Sequence, residues 1–228
     1  MSTGWEDRAE GLIAWARKPG HDAYWLYRDS FFELVPPPGR RTLEIGCGEG
    51  RVSRDLRDRG HAVTGLDAAP TLVAAAADAD PASEYVVSVA ESLPFEDGSF
   101  DLVVAYNSLM DVEDMPAAVG EAARVLESGG RFCVCVTHPF RDAGRFETRE
   151  NGAPFVVTGS YFEEGTYEFT AERDGLTFTW ASRTYPLASY MRALEEASLL
   201  VEALREPVGF DDRDRRMPQF LHLRAVKQ

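Results

Sequence analysis

Hydrophobic and polar residues along the chain form two kinds of segment that follow one another in turn. Short, nearly continuous apolar runs are typical of strands buried on both faces, and apolar residues three or four positions apart are typical of helices. The strand-like runs are residues 42–45, 62–66, 85–89, 102–106 and 132–137. Helical spacing occupies residues 51–59, 70–78 and 115–126 between them. This order predicts an α/β fold whose parallel sheet has helices on both faces.

Both ends of the chain extend this pattern. Residues 21–35 carry aromatic residues at helical spacing until Pro36 stops it, so we expect an amphipathic helix ahead of the sheet. Towards the C-terminus, helical spacing at 187–199 precedes strand-like runs at 200–204 and 219–226. With these two runs, the predicted sheet is doubly wound, mostly parallel and seven-stranded.

An aromatic-rich segment interrupts the alternation after Thr137. Within it, Asp174 and Gly175 separate two runs of alternating apolar and polar residues, which predicts a β-hairpin. The aromatic residues favour a cover over a hydrophobic substrate, and a core for the hairpin itself is the alternative. The predicted division is an N-terminal helical lid (1–39), an α/β core (40–137 and 186–228) and an aromatic-rich substrate-cap insertion (138–185).

The charge of the chain disfavours one class of partner. Its 228 residues include 24 Lys or Arg and 38 Asp or Glu, which gives a formal net charge of −14. Phosphate backbones and anionic lipids attract basic proteins, so no nucleic acid or membrane partner is expected, although a local basic patch at Arg213, Arg215 and Arg216 is an open alternative. The polar start and the lack of a long apolar stretch indicate a cytoplasmic protein, either a monomer or a homodimer.

The cysteines do not indicate a metal site. Only three are present, and Cys133 and Cys135 alternate on one face of a predicted strand. Reduced cysteines that serve as small hydrophobic residues are favoured over a disulfide or a metal site. We therefore expect no bound metal.

A glycine-rich loop gives the first indication of a ligand. Gly46, Gly48 and Gly50 follow a predicted strand and open a predicted helix, where bare backbone can approach a ligand closely. The dinucleotide fingerprint places its third glycine one position later, where this chain has Arg51. Glu44, just before the loop, would also repel a pyrophosphate. The spacing argues against a nicotinamide cofactor.

Two acidic residues narrow the ligand further. Asp67 ends the second strand run, where a carboxylate can accept hydrogen bonds from both hydroxyls of an adenosine ribose. Glu44 brings negative charge close to the glycines, which suits a ligand with an ammonium, a sulfonium and no phosphate. Together they indicate S-adenosylmethionine, although Asp67 by itself would be consistent with a helix cap.

An ordered set of motifs across residues 40–137 resembles a known family. The chain is similar to the small-molecule members of the class I (Rossmann-like) S-adenosylmethionine-dependent methyltransferases, which include ubiquinone-biosynthesis-type enzymes. The motifs are Leu43-Glu44-Ile45-Gly46-Cys47-Gly48-Glu49-Gly50, Gly65-Leu66-Asp67, Ala90-Glu91-Ser92-Leu93-Pro94-Phe95, Ser99-Phe100-Asp101-Leu102-Val103 and Glu121-x-x-Arg124-Val125-Leu126-x-x-Gly129-Gly130.

The resemblance implies which residues bind the cofactor. Residues of the glycine loop would hold the methionine moiety, the end of the second strand the ribose and a later loop the adenine, while the end of the fourth strand would line the pocket near the sulfonium. In that order the residues are Glu44, Gly46, Cys47, Gly48 and Gly50; Asp67 and Ala68; Ala90, Glu91 and Ser92; Tyr106 and Asn107. Tyr24 and Tyr27 of the leading helix would close over the cofactor, and core packing is their alternative role.

Two departures from the family pattern concern the adenine and the catalytic base. Val89 stands where relatives usually have an aspartate that accepts from the adenine amino group, so that contact is lost or passes to Glu91. Asp111 or Val112 stands where many relatives have a histidine. We expect Asp111 or His138, which follows the fifth strand run, to accept a proton from a hydroxyl acceptor. A hydrogen-bonded loop histidine is the competing interpretation of His138.

The predicted activity is methyl transfer from S-adenosylmethionine to a small, aromatic or hydrophobic metabolite, with S-adenosylhomocysteine as product. Two alternatives keep the same cofactor pocket. One is an enzyme of another reaction type, such as a cyclase, because a fold does not fix the chemistry. The other is a non-catalytic module that binds S-adenosylmethionine.

Overall fold

A seven-stranded sheet forms the centre of the computed structural model, which describes residues 4–228. The strands are β1 (Thr42–Ile45), β2 (Val63–Asp67), β3 (Glu84–Val87), β4 (Phe100–Tyr106), β5 (Leu126–Thr137), β6 (Gly144–Phe146), β7 (Phe155–Val157), β8 (Gly165–Arg173), β9 (Leu176–Thr184), β10 (Leu199–Arg205) and β11 (Phe220–Lys227). The helices are α1 (Trp5–Ala16), α2 (Tyr24–Phe32), α3 (Arg51–Asp58), α4 (Pro70–Ala79), α5 (Met115–Val125), α6 (Pro139–Asp142), α7 (Leu187–Glu196) and α8 (Asp212–Arg216).

The order of the strands fixes where a ligand can bind. Across the sheet they run β10-β11-β5-β4-β1-β2-β3, and β1 to β5 pair in parallel while β11 is antiparallel to both β5 and β10. The predicted α/β fold with a mostly parallel sheet of seven strands is thus confirmed. The order reverses between β1 and β4, and in doubly wound sheets the crevice beyond the carboxyl ends of such strands is the ligand site.

Apolar residues cover both faces of the sheet, which explains why β1 is buried along its whole length. On one face, Met115 of α5 and Tyr190 of α7 pack against the strands. On the other face, Phe31 of α2 and Leu56 of α3 do so. A smaller apolar cluster, which includes Ala9 of α1 and Leu72 of α4, joins these two helices. Within the described residues 4–228, no helix is long and apolar enough to cross a membrane.

Several element ends differ from the predicted ones. The sequence pattern did not indicate α1, which lies within the predicted lid; residues 1–3 of that lid lie outside the described part of the chain. Helix α5 begins as predicted, since the Asp114 side chain accepts from the Ala117 N–H at 3.0 Å and caps it. Helix α7 ends earlier than predicted because Ser198 has a φ of 57° and Leu199 starts β10.

The insertion contains two hairpins rather than the single predicted one. Strands β8 and β9 form the predicted hairpin, and Arg173 pairs with Leu176 across the turn at Asp174 and Gly175. The φ angles of these turn residues are 51° and 77°, which suits a tight hairpin turn. The additional pair, β6 and β7, is three residues long on each side and has little sequence signal.

Candidate active site

A cavity of about 1620 Å³ lies beyond the carboxyl ends of β1, β2 and β4. Its floor includes residues of the loop after β1, the end of β2 and the loop after β4, and its roof comes from α1 and the β8–β9 hairpin. Sites for single small ligands commonly measure roughly 300–1,000 Å³. This cavity therefore has room for a cofactor together with a second small molecule.

Gly46 allows the two loops of the floor to meet. It has a φ of 71°, and a Cβ placed on it would lie 2.3 Å from the Ser108 Cβ. Ser108 in turn donates its hydroxyl to the Ile45 carbonyl at 2.6 Å. Gly50 does not line the cavity, and a Cβ there would lie 2.9 Å from the Ala76 Cβ of α4. Its place in the structure is therefore a close approach to α4, and its contact with the cofactor stays a prediction.

Asp67 joins the glycine loop to the start of α4. Its Oδ2 accepts from the Gly48 N–H and its Oδ1 from the Ala69 N–H, both at 2.9 Å. The carboxylate lines the cavity beside Ala68, and each oxygen retains capacity for a further hydrogen bond. Burial raises the pKa of Asp67 above its usual range, against the lowering effect of these backbone N–H groups.

Glu44 brings a buried carboxyl to the same wall. It lies on β1, is 1% exposed and accepts from the Ser53 hydroxyl of α3. Burial raises the pKa of Glu44 to about 8, the Ser53 hydrogen bond lowers it, and the charges of Asp67 and Glu49 raise it further. In contrast, Glu49 is paired with Arg54 at 2.9 Å and with Arg17 at 3.2 Å. Glu44 and Asp67 thus both face the cavity, and the charge of Arg54 lowers the pKa of Glu44.

These donors and acceptors fit S-adenosylmethionine. An ammonium suits the acidic side chains of Glu44 and Asp67, and the retained acceptor capacity of Asp67 suits ribose hydroxyls. A pyrophosphate would meet the same carboxyls with repulsion. Cys47 and Gly48 also line this wall, so that bare backbone borders the cavity. The predicted methionine and ribose residues therefore lie together, apart from Gly50.

The predicted adenine loop is only partly at the cavity. Ala90 and Glu91 line it, but Ser92 is exposed and does not. The Ser92 N–H instead donates to the Val89 carbonyl at 3.3 Å, which turns the residue towards solvent. Glu91 Oε1 accepts from the N–H groups of Glu113 and Asp114, at 2.7 and 3.1 Å. Val89, 49% exposed, lines the cavity and provides no acceptor side chain.

The end of β4 and the loop after it form the deeper part of the floor. Tyr106 and Asn107 both line the cavity, and the Asn107 N–H donates to the Cys135 carbonyl at 2.8 Å. One turn later, Asp111 also lines the cavity, and its Oδ1 is buried with no hydrogen-bond partner within the described part of the chain. Burial raises the pKa of Asp111 to about 8, and a hydrogen bond from Ser182 lowers it.

Besides Gly50 and Ser92, two further predicted site residues do not line the cavity. His138 is 3% exposed; its Nδ1 accepts from the Phe140 N–H at 3.2 Å and its Nε2 lies 2.9 Å from Glu206. Thr137 lines the cavity, and the chain then turns so that His138 caps α6. Because His138 does not line the cavity and both of its ring nitrogens have partners, its position disagrees with the expected role of proton acceptor.

Tyr27 is the second of these residues, and its core-packing alternative agrees with the structure. Its ring lies 5.1 Å from the Phe220 ring, and its hydroxyl donates to Asp214 at 3.2 Å. Tyr24, one turn earlier on α2, lines the cavity instead and donates its hydroxyl to Asp55.

Sequence reasoning missed the roof contributed by α1. Trp5, Leu12 and Trp15 line the cavity together with Trp180 of β9, and the Trp15 and Trp180 rings lie 5.1 Å apart. The only available signal was the spacing of these apolar residues in an otherwise polar N-terminal segment. No group of three or more His, Cys, Asp or Glu side chains within residues 4–228 is arranged to hold a metal ion.

Residues 43–134 match a family model described as "Methyltransferase domain". A malonyl-[acyl-carrier protein] O-methyltransferase from Serratia marcescens is 37% identical over 93 residues, which cover 41% of this chain and 36% of that enzyme. A ubiquinone biosynthesis O-methyltransferase from Xylella fastidiosa is 30% identical over 158 residues, which cover 67% of this chain and 63% of that enzyme. The chain thus spans less than two thirds of the length of either relative.

Solved structures resemble the chain over most of its length. An S-adenosylmethionine-dependent methyltransferase from Mesorhizobium loti has a TM-score of 0.71 at 22% identity, covering 90% of this chain and 98% of that one. The [4+2]-cyclase SpnF has a TM-score of 0.68 at 21% identity, covering 99% of this chain and 95% of that one. At these identities, the resemblance concerns the fold.

Replacing Gly46 with Ala should destabilise the protein, because the new Cβ would collide with Ser108 and the backbone would be strained. We expect the free energy of unfolding to fall by about 2 to 5 kcal/mol in urea denaturation. Gly175→Ala is the matched control, since Gly175 has a similar φ of 77° but no atom within 4 Å of the added Cβ. It should lose only about 1 kcal/mol. Equal losses in the two variants would contradict the close approach at Ser108.

Binding of S-adenosylhomocysteine should release protons from Glu44. The pKa of Glu44 is about 8 in the free protein, so the side chain is largely protonated at pH 7. A nearby ammonium lowers this pKa, so binding releases a proton and the affinity rises with pH between roughly 6 and 8. Calorimetry in buffers of different ionisation enthalpy measures the number of protons released. Glu44→Gln should remove this release, whereas Asp111→Asn should retain it; undiminished release in Glu44→Gln would exclude Glu44 as the source.

Proposed function

We propose that the chain is a class I, Rossmann-like methyltransferase that transfers a methyl group from S-adenosylmethionine to a small aromatic or hydrophobic metabolite. The match of residues 43–134 to the model described as "Methyltransferase domain" supports this proposal. The observation that carries the proposal is a single cavity with two different walls. An acidic wall at Glu44, Gly48 and Asp67 suits the cofactor, and an aromatic roof suits an apolar acceptor.

The cofactor would lie along the floor at the ends of β1, β2 and β4. Glu44 and the backbone of residues 46–48 would hold its methionine end, Asp67 its ribose, and the loop at Ala90 and Glu91 its adenine. When bound, it supplies a methyl carbon that is electrophilic because it is attached to a positively charged sulfur. Tyr106 and Asn107 would border the position of that sulfur.

The side chains of the protein would mainly position the methyl acceptor and exclude water from the site. Displacement at a methyl carbon requires the attacking atom in line and about 3 Å away, and closure of the site removes competing water. The roof of Trp5, Trp15 and Trp180 covers the cavity in this way. Asp111 would accept a proton from the acceptor, because its carboxyl lines the cavity and its pKa of about 8 is close to the working pH.

Two features favour a small apolar acceptor. Tyr167, Phe169 and Trp180 of the hairpin line the cavity, and aromatic side chains of this kind bind flat, apolar molecules. The Xylella fastidiosa relative, whose name is ubiquinone biosynthesis O-methyltransferase, is consistent with a small-molecule acceptor. The formal charge of −14 also disfavours nucleic acid as the acceptor.

A second candidate function is a reaction without methyl transfer. The observation that favours it is the fold shared with the [4+2]-cyclase SpnF across 99% of this chain. A bound cofactor could then act through its charge on another transition state. The two candidates differ in one product, because only methyl transfer converts S-adenosylmethionine to S-adenosylhomocysteine.

Asp67→Asn should weaken binding of S-adenosylhomocysteine at least about tenfold, since hydrogen bonds to a charged acceptor are worth roughly 1.5–3 kcal/mol. Calorimetry measures the dissociation constant. The matched control is Asp78→Asn, which removes the same charge from an exposed position on α4 and should bind as the unchanged protein does. Equal affinities in the two variants would exclude Asp67 from the cofactor site.

Methyl transfer itself is tested with S-adenosylmethionine and a mixture of aromatic alcohols, phenols, amines and thiols. We expect S-adenosylhomocysteine to form at a rate that depends on the mixture and falls in Asp67→Asn. Mass spectrometry of the mixture identifies the methylated member. Cofactor binding without any S-adenosylhomocysteine would instead favour the cyclase or the binding module.

A further inference from the structure

Asp111 has an unusual environment for a carboxyl group that lines a cavity. Its N–H donates to the Ser108 carbonyl at 2.9 Å, so the residue lies one turn beyond the contact between Ser108 and Gly46. Because Gly46 belongs to the loop proposed to hold the methionine end of the cofactor, Asp111 would lie on the side of the cavity near that end. Its Oδ1 is buried and has no hydrogen-bond partner in the described part of the protein. A buried acceptor of this kind requires a donor from a ligand or from water.

The groups around Asp111 do not neutralise it. From the hairpin, Ser182 provides a hydrogen bond; from the end of β2, the charge of Asp67 raises the pKa of Asp111; and from α1, the charge of Arg8 lowers it. Burial exceeds all three in its effect and raises this pKa to about 8. The negative charge of Asp67 therefore disfavours the ionised form of Asp111.

A second buried carboxyl extends the acidic character of this region. Asp142 of α6 accepts from the Thr137 hydroxyl at 2.8 Å, and burial raises its pKa to about 7. Both carboxyl groups affect Tyr167, which is on the roof of the cavity. Burial raises the pKa of its phenol, and the charges of Asp142 and Asp111 raise this pKa further. The phenol of Tyr167 is therefore protonated at neutral pH, and it presents an aromatic face together with a hydroxyl donor.

The lining of the whole cavity is also rich in acidic side chains. Eleven acidic side chains and four arginines line it, and three of the acidic ones, Asp22, Glu49 and Asp174, are paired with basic side chains. The acidic side chains that remain still outnumber the arginines, so an anionic acceptor would be repelled and a cationic one attracted. Arg51 is paired with Asp22 at 2.6 Å, and Arg213 with Asp211 at 3.1 Å, so these two arginines are already neutralised. Aromatic residues of the roof add affinity for a cation through their ring faces.

We propose that the methyl acceptor is an amine with an aromatic body, which enters as an ammonium ion, pairs with Asp111 and transfers a proton to its Oδ1. This inference rests on the proposed function, because it names the substrate class of the same site. Aromatic residues Tyr167, Phe169 and Trp180 would contact the body of the molecule, and Asp111 its nitrogen.

The proton transfer prepares the nitrogen for attack. Pairing with the ammonium favours the ionised form of Asp111, so its carboxyl group releases its own proton to solvent as the amine binds. An ammonium has no lone pair, so one N–H bond must then break, and the proton moves to the carboxylate of Asp111. The lone pair left on nitrogen then forms the new nitrogen–carbon bond while the carbon–sulfur bond breaks, and that bonding pair remains on sulfur. The product leaves as a methylated ammonium, and Asp111 returns its proton to solvent. Burial favours the transfer from nitrogen to Asp111, because it brings the basicity of Asp111 closer to that of an amine.

Three probes of similar size test the assignment, since they differ only in their polar end. They are 2-phenylethylamine, 2-phenylethanol and 3-phenylpropanoate, titrated by calorimetry into the full chain saturated with S-adenosylhomocysteine. We expect the amine to bind at least about tenfold more tightly than the alcohol, as a charged hydrogen bond to a buried carboxylate would provide. The carboxylate probe should bind most weakly. With S-adenosylmethionine in place of the product, mass spectrometry should detect the N-methylated amine.

Two variants distinguish a local contact from the general acidity of the cavity. Asp111→Asn keeps the size of the side chain and removes the charge, so it should weaken amine binding at least about tenfold and leave the affinity for S-adenosylhomocysteine unchanged. Glu172→Gln removes the same charge from an exposed residue at the edge of the cavity, and it should bind the amine as the unchanged protein does. Retained cofactor affinity also verifies that Asp111→Asn is folded.

The outcomes separate this inference from the proposed function. Alcohol or carboxylate binding as tight as that of the amine, no amine binding at millimolar concentration, or full amine binding by Asp111→Asn would each overturn the inference. Equal weakening of amine binding in Glu172→Gln and Asp111→Asn would also overturn the inference, because the loss would then come from the overall negative charge of the cavity and not from a contact with Asp111. Failure of the unchanged protein to bind S-adenosylhomocysteine would instead overturn the proposed function.

Discussion

The Asp67 carboxylate connects the parts of the protein on which ligand binding depends. By accepting from Gly48 and from Ala69, it fixes the loop after β1 relative to the start of α4. Gly46 then allows the loop after β4 to approach, through Ser108. Three neighbouring strand ends are thereby brought to one crevice. The Asp67 carboxylate, at the end of β2 and next to β1, thus links the loop after β1 to α4 at the floor of the cavity.

The same crevice collects buried acidic groups at a cost in stability. Glu44 and Asp111 each have a pKa near 8, because burial disfavours their charged forms. Their folded pKa values exceed those of an unfolded chain, so both groups destabilise the free protein progressively as the pH rises from about 4 towards 8. Cationic ligands would relieve this cost. A protein organised in this way gains part of its stability from the molecules it binds.

Local patterns in the sequence were sufficient to predict the sheet and most of the residues that line the floor of the cavity. Strand runs, the glycine spacing and Asp67 depend on residues close to one another in the chain, so their geometry follows from periodicity and loop chemistry. His138 and Tyr27 were different, since their partners Glu206 and Asp214 lie far away in the sequence and determine where each side chain is held. The sequence analysis did not predict helix α1 for a related reason. Its apolar residues contact α4 and the hairpin, which are distant in the sequence, and local spacing gives no indication of such contacts.

The two walls of the cavity also differ in where they come from along the chain. The cofactor wall lies between Glu44 and Asp114, within residues 43–134 that match the methyltransferase family model. The roof comes from α1 and the β8–β9 hairpin, outside that segment, and the two are joined where Asp174 lies 3.4 Å from both Lys18 and His21. Similarity to known proteins therefore bears on the methyl donor. The proposed acceptor site consists of Asp111 together with the roof, so the identity of the acceptor must be sought in the chemistry of those side chains.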